Sequence, residues 1–432
     1  GLSEQRSVKA LSALTRASKM REYPTWAWET FLAAQRREKD SPRFAALIAE
    51  RLTRLPAASL AALMRPVTQW PQKVSKSLTE RFPSAFDRLF DALIVQLQCN
   101  SAVGASAVVR GRRAPEWATE GLNAPVGFLA QSIMNDARTG GIAPSAGLPE
   151  RWKRDAHRLL GLPGDLHRHA LVFFAHGACW IYATDPNWCK EEILVFAGGG
   201  DADDVAAFWE GFFWRGRAPV SELFLYLKPA LLRLLSHPLT RNHENRGALA
   251  RLLLVAWGVL RDADGERCIT HAELRDVLVE GDDGLRRQVA WHAETWARET
   301  RDSADDWSGR VIELLTHAWP RQKRAKSSAV SASLCHLALS SYPLAETIRA
   351  VLPLVGPVED SNHLLLPLEG DDNYIRLDAC PEAFIALLSA VLPNNVAIWP
   401  YGIDAVLSRL SNNPAARDNP QLLGLMRRWQ AR

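Results

Sequence analysis

Helical periodicity runs through this chain almost without interruption, with short connections between the periodic stretches, and this restricts the fold to packed helices. Between Ser3 and Lys19, the apolar residues Val8, Leu11, Leu14 and Ala17 fall on one helical stripe. Thr25 before Trp26-Ala27-Trp28-Glu29 predicts a capped helix ending near Lys39. Ser41-Pro42 opens a third helix, with proline in the first turn, where its missing N–H costs nothing. Pro56, Pro66, Pro71 and Pro83 punctuate the next segments. Pro83-Ser84 begins a helix with Phe86, Leu89, Phe90, Leu93, Ile94 and Leu97 on one face. Asn100–Pro115 reads as a loop, and Asp165–Thr184, apolar on more than one face, predicts a central buried helix. Helical patterns then recur to the C-terminus, including Asn242–Leu260, Asp283–Glu299, Ala304–Trp319 and Ser328–Ser340.

Strand signals are nearly absent. His363–Leu368 and Tyr374–Leu377 flank Gly370-Asp371-Asp372-Asn373 and suit a small β-hairpin near 363–377, although a helical reading fits there too. The pattern predicts an all-α chain, an irregular HEAT-like α-solenoid of antiparallel helix pairs, from helix and loop length rather than from a strict repeat. The glycine-rich connection Gly140–Gly147 divides it into N-terminal helical repeats (1–140) and a C-terminal solenoid (141–432). A pair of compact helical domains joined there is the alternative.

Composition supports a folded protein, since 47% of the 432 residues are hydrophobic and 23% charged, enough apolar surface for a core. No run of about 18 apolar residues suggests a membrane span. Six scattered cysteines without a Cys-x-x-Cys suit reduced thiols in a cytoplasmic protein. The chain starts on Gly1 with no leader pattern, as a tag remnant or a piece of a longer protein would. Charge is uneven: residues 1–150 carry 20 basic and 13 acidic groups, residues 151–400 carry 27 and 33. A basic N-terminal third could favour an acidic partner or nucleic acid, but a solvated surface with uneven charge is the simpler reading.

No stretch carries a catalytic signature. Asp262-Ala263-Asp264-Gly265-Glu266-Arg267, running on to Glu273, places carboxylates as a calcium-binding EF-hand does. Arg267, however, stands where that loop needs glycine, so a polar helix–helix loop with Asp and Thr caps is the simpler reading. His167, His169, His176 and Cys179 offer imidazole and thiol donors, but not at a zinc spacing, which favours buried, hydrogen-bonded histidines. Gly198-Gly199-Gly200 leads into Asp201, Asp203 and Asp204, which would repel a phosphate and instead suit an acidic helix start. No metal or cofactor is expected. Of the 16 tryptophans, Trp209/Trp214, Trp291/Trp296 and Trp307/Trp319 lie at spacings that predict packing between helices.

Two basic features remain as candidate binding residues: Trp214, Arg215 and Arg217 at the end of an aromatic helix, and Arg321, Lys323 and Arg324 after Trp319. Either could hold phosphate or an acidic protein surface, although cationic turns that complement helix dipoles are the simpler reading.

Several phrases go further. Phe212-Phe213-Trp214-Arg215-Gly216-Arg217-Ala218-Pro219, Leu285-Arg286-Arg287-Gln288-Val289-Ala290-Trp291, Ala318-Trp319-Pro320-Arg321-Gln322 and Trp399-Pro400-Tyr401-Gly402 together resemble the helical C-terminal region of bacterial sirtuin-like anti-phage defence proteins, over residues 80–430. In that family an N-terminal domain cleaves NAD, and the helical part senses a phage component or holds the assembly together. This chain has neither a glycine-rich NAD-binding start nor a sirtuin core, and none of these phrases is a motif with known chemistry. The resemblance therefore implies a non-catalytic recognition or scaffold region with a protein partner, and no catalytic position carries over. An oligomer is compatible with this reading. The alternative is a nucleic-acid-binding helical repeat using Arg110–Arg113, Arg215, Arg217 and Arg321–Lys326.

Overall fold

The computed structural model describes residues 2–35, 41–111, 113–214, 218–299, 307–359, 362–365 and 377–431. The described residues are 73% helical and include no strand, so the chain is all-α. A lone antiparallel bridge joins Arg261 to Arg267. No described helix is long and apolar enough to cross a membrane. The backbone separates into two compact units, Gly1–Arg217 and Ala218–Arg432.

Local signals set many of the helix starts. Proline occupies the first turn of the helices Pro42–Leu52, Pro83–Cys99, Pro125–Met134, Pro381–Val391 and Pro420–Gln430. Asn242 accepts the Glu244 and Asn245 N–H groups, and Thr270 and Glu273 form a reciprocal capping box.

In the first unit, the helices Met64–Arg81, Pro125–Met134, Asp165–His176 and Ala202–Phe213 pack in sequence, each against the next. Glycine permits the closest of these approaches: a Cβ on Gly211 would lie 2.2 Å from the Val172 carbonyl oxygen. Ion pairs tie Pro83–Cys99 to Glu150–Leu160, with Arg151 3.0 Å from Asp91 and Arg158 also on Asp91.

In the second unit, His243–Gly258, Asp283–Glu299 and Ser328–Ser340 lie side by side. The intervening elements form a second row. Trp307–Glu313 packs on Asp283–Glu299 and on Leu344–Val351, and Leu344–Val351 packs on Ser328–Ser340 and Pro381–Val391.

Three expectations need correction. The helix predicted over Asp165–Thr184 breaks at Gly177 into Asp165–His176 and Ala178–Thr184, where Met134 presses so close that a Cβ would lie 2.3 Å from its Cε. Pro66 and Pro71 do not punctuate: both lie within the helix Met64–Arg81, Pro66 in the first turn, where its N–H is not required, and Pro71 in the interior. The two compact units meet in sequence between Arg217 and Ala218. The connection at Gly140–Gly147 lies inside the first unit, where the Ser145 and Gly147 N–H groups donate to Ala183 and Thr184 carbonyls at 2.8 and 3.0 Å. Trp291 does not pack inward; its indole is 57% exposed. Of the suggested hairpin, residues 363–365 form a turn and 366–376 lie outside the described residues.

Candidate functional site

One stripe of residues along Asp283–Glu299, with Arg287 and Trp291 exposed, carries the most distinctive surface chemistry in the second unit. Gly284, Arg287, Gln288, Trp291 and Glu294 recur at three- and four-residue spacings and so share one helical face. They line a groove of 370 Å³, flanked by His243 and Arg246 from one neighbouring helix and by Ser333 and His336 from the other.

Each flank is held in place. The Arg246 guanidinium lies over the bare backbone of Gly284, where a Cβ would come within 2.1 Å of it. There it donates to the Thr240 carbonyl at 3.0 Å and pairs with Asp282 at 3.1 Å. The Gln288 amide contacts His243 Nε2 at 2.8 Å, and His336 Nε2 donates to the His363 carbonyl at 3.0 Å. Glu294 is buried, with the Arg298 guanidinium and the Ser340 hydroxyl both donating to it. Its charge is therefore compensated.

Beneath the groove, Arg286 fixes the start of the central helix. Its buried guanidinium donates to the Leu278 and Gly281 carbonyls, both at 2.7 Å, to the Val279 carbonyl at 3.2 Å, and to Asp283 at 2.6 Å. Those carbonyls end the helix His271–Glu280, so a cation there also meets its negative dipole end.

Two groups stand out from this braced frame. The Arg287 guanidinium is exposed and has no hydrogen bond or ion pair among the described residues. The Trp291 indole, one turn further along, stands edge-on to His292 with centroids 4.8 Å apart. A cation one helical turn from an exposed aromatic face can hold an acidic or hydrogen-bond-accepting group beside an apolar one.

The sequence-level candidates are scattered. Trp214, 38% exposed, packs against Phe173 and His176 in the first unit, and Arg215 and Arg217 lie outside the described residues. Arg321, Lys323 and Arg324 are exposed on a turn of the second unit, where Arg321 donates to the Thr316 carbonyl at 3.4 Å and Arg275 donates to that of His317. These carbonyls close the preceding helical turn, so cationic side chains complement a helix end there.

Arg110 turns inward, doubly bonded to Glu120 at 2.6 Å, and is not available to a phosphate backbone. In the EF-hand-like loop, Arg267 reaches across to Glu313 at 2.7 Å, and Glu273 is engaged by Thr270 and Lys228. Of the histidine cluster, His167 pairs with Asp204 at 2.8 Å, His176 meets Trp214, and His169 lies closest to Glu120. No group of three metal-ligating side chains occurs among the described residues. The sequence points to the groove only through the Leu285–Trp291 phrase. An arginine and a tryptophan four residues apart on the polar side of an amphipathic helix are its one local signal.

No protein-family model matches this chain, and no curated protein matches it either.

Proposed function

We propose that this chain is a non-catalytic recognition and scaffold region of a cytoplasmic defence protein, an irregular HEAT-like stack that grips a protein partner along the groove of Asp283–Glu299. The observation that carries the reading is Trp291, exposed one turn from Arg287, which has no partner among the described residues, on a helix whose flanks and base are already fixed. Aromatic and arginine side chains dominate the energetics of protein interfaces, and rigidity before binding lowers the entropic cost of gripping. Rows of neighbouring helices with an exposed face suit a helical-repeat binding surface.

The Leu285–Trp291 phrase belongs to the resemblance with sirtuin-like anti-phage proteins, which names the system served: a phage component as trigger and an NAD-cleaving effector as output. Such a trigger acts only if it binds one state of the linked effector better than the other.

The test titrates individually purified phage proteins against the full chain and against Trp291→Ala and Arg287→Glu. The expected result is one protein that binds the unaltered chain and loses at least about tenfold in affinity with each variant. If no protein binds, or binding ignores both changes, the groove reading fails. Salt-sensitive retention of single-stranded DNA, lost in the same variants, would replace the protein partner by nucleic acid.

A further inference from the structure

We infer that the first unit carries a second, separate docking site, a 580 Å³ groove between the helices Leu2–Lys19 and Pro42–Leu52 that takes an acidic amphipathic helix of a partner protein. Each helix lends it one stripe. Val8, Leu11, Thr15 and Lys19 recur at three- and four-residue spacings along the first, with Arg16 beside them. Phe44, Leu47 and Arg51 do the same along the other. Both stripes therefore run from apolar to cationic.

The apolar ends lie together. The Gln35 amide, at the end of the helix Thr25–Ala34, donates to the Ser7 hydroxyl at 2.8 Å, so that helix runs back along Leu2–Lys19. One turn before Gln35, the Phe31 ring meets Phe44 edge-on with centroids 6.5 Å apart. Phe44 is thereby brought to the end of the groove that carries Val8 and Leu11. Val8 is 52% and Leu47 46% exposed, and both line this one groove, unlike apolar residues scattered singly over a surface. Covering them removes apolar surface from water, the driving force when a helix lies in a groove.

Charge identifies the occupant. Arg16, Lys19 and Arg51 line the groove, and none of its lining residues is acidic. These three side chains make no hydrogen bond or ion pair among the described residues. Glu50, beside Arg51 in sequence, pairs with Arg88 at 3.3 Å instead. Each cation stands in the last turn of its helix, but two helix ends supply only about half a negative charge apiece, which leaves a surplus of about two positive charges. Residues 1–55 carry 11 basic and 6 acidic side chains, so the surrounding sequence has the same sign. A helix whose apolar stripe is continued by carboxylates satisfies both ends of the groove at once. Concave apolar walls do not insert into a lipid surface, and Phe44, engaged with Phe31, offers no open ring for a base to stack on.

The experiment titrates the full chain, by fluorescence anisotropy, into a labelled helical peptide with a leucine stripe ending in glutamates. A length of about 16 residues spans the rise from Val8 to Lys19. A twin with lysines for the glutamates, vesicles of phosphatidylserine and phosphatidylcholine, and oligothymidine are tested alongside. Saturable one-to-one binding of the acidic peptide is expected, with the twin weaker by about tenfold or more. Leu47→Asp and Lys19→Glu, both at exposed positions, should each weaken the acidic peptide about tenfold while thermal melts stay unchanged. Arg154→Glu, an equal change of net charge at an exposed position outside the groove lining, should leave its affinity as it was. No saturable binding of the acidic peptide, equal affinity for the twin, or indifference to Leu47→Asp and Lys19→Glu overturns the assignment. Tighter binding of the vesicles or of oligothymidine, abolished by the same two variants, overturns it in favour of lipid or nucleic acid.

Discussion

Glu210 gives the sharpest test of the electrostatics in the first unit. It lies in the helix Ala202–Phe213, and its Oε2 accepts the Ala118 N–H at 2.9 Å. Burial pushes its carboxyl up to about 7 from an ordinary value of 4.5, with Glu116 and Glu120 adding repulsion and the Ala118 and Trp117 N–H groups opposing it. The folded chain therefore holds the Glu210 proton more tightly than the unfolded chain does. Its contribution to stability is fully present below pH 4.5 and is lost as pH rises through about 7. The gap between those values corresponds to about 3 kcal/mol, of which about 2.5 falls between pH 5 and pH 8. Glu210→Gln keeps an acceptor for the Ala118 N–H and cannot ionise. Urea unfolding of variant and unaltered chain at the two pH values isolates the effect, because every other titration is common to both. The variant should gain about 2.5 kcal/mol relative to the unaltered chain on going from pH 5 to pH 8. A difference that stays constant within about 0.5 kcal/mol, or that moves the other way, refutes the reasoning.

Packing sets three further outcomes. Arg286→Met leaves the Leu278, Val279 and Gly281 carbonyls without their donor, and urea unfolding should show a loss of about 3–5 kcal/mol. Gly211→Ala drives a methyl against the Val172 carbonyl and should cost about 2 kcal/mol or more, whereas Gly424→Ala, in open space on a helix, should add about 0.5–1 kcal/mol in thermal melts. A thiol reagent applied to the native chain should modify the exposed Cys99 well before the buried Cys189, Cys268 and Cys335, whose thiols are all shifted up by burial.

The helix Pro83–Cys99 is legible in the sequence because everything that defines it is local: a proline in the first turn and six apolar residues on one face, all of them buried. Met64–Arg81 is hidden from the same local reasoning, since two prolines read as breaks until packing against Pro125–Met134 is known. The close approach of Met134 to Gly177 is likewise something no local pattern reveals. Trp291 misleads because its spacing from Trp296 suits a core, while the face it occupies is decided by Arg286, Val289 and Ala290 pointing inward. The groove is out of reach for a related reason. Its walls come from three helices that are neighbours only after stacking, so His243 and His336 bear no sequence relation to each other.

Arg286 and Arg287 show how this stack makes a surface specific. They are adjacent in sequence and about 100° apart around the helix, so identical chemistry meets opposite surroundings. Arg286 is spent on the carbonyls of the preceding helix end and fixes the register of Asp283–Glu299; Arg287 is left to solvent on the groove side. The inward arginine therefore acts on partner binding only through position. Arg286→Lys keeps the charge but loses the fork that reaches several carbonyls at once, and should loosen the helix start without touching a partner. If the groove binds by a pre-fixed shape, that variant weakens the partner's grip in proportion to its loss of stability, while Arg287→Lys weakens it with stability unchanged. Equal behaviour of the two lysine variants in binding and unfolding would show that the groove owes nothing to the clamp beneath it.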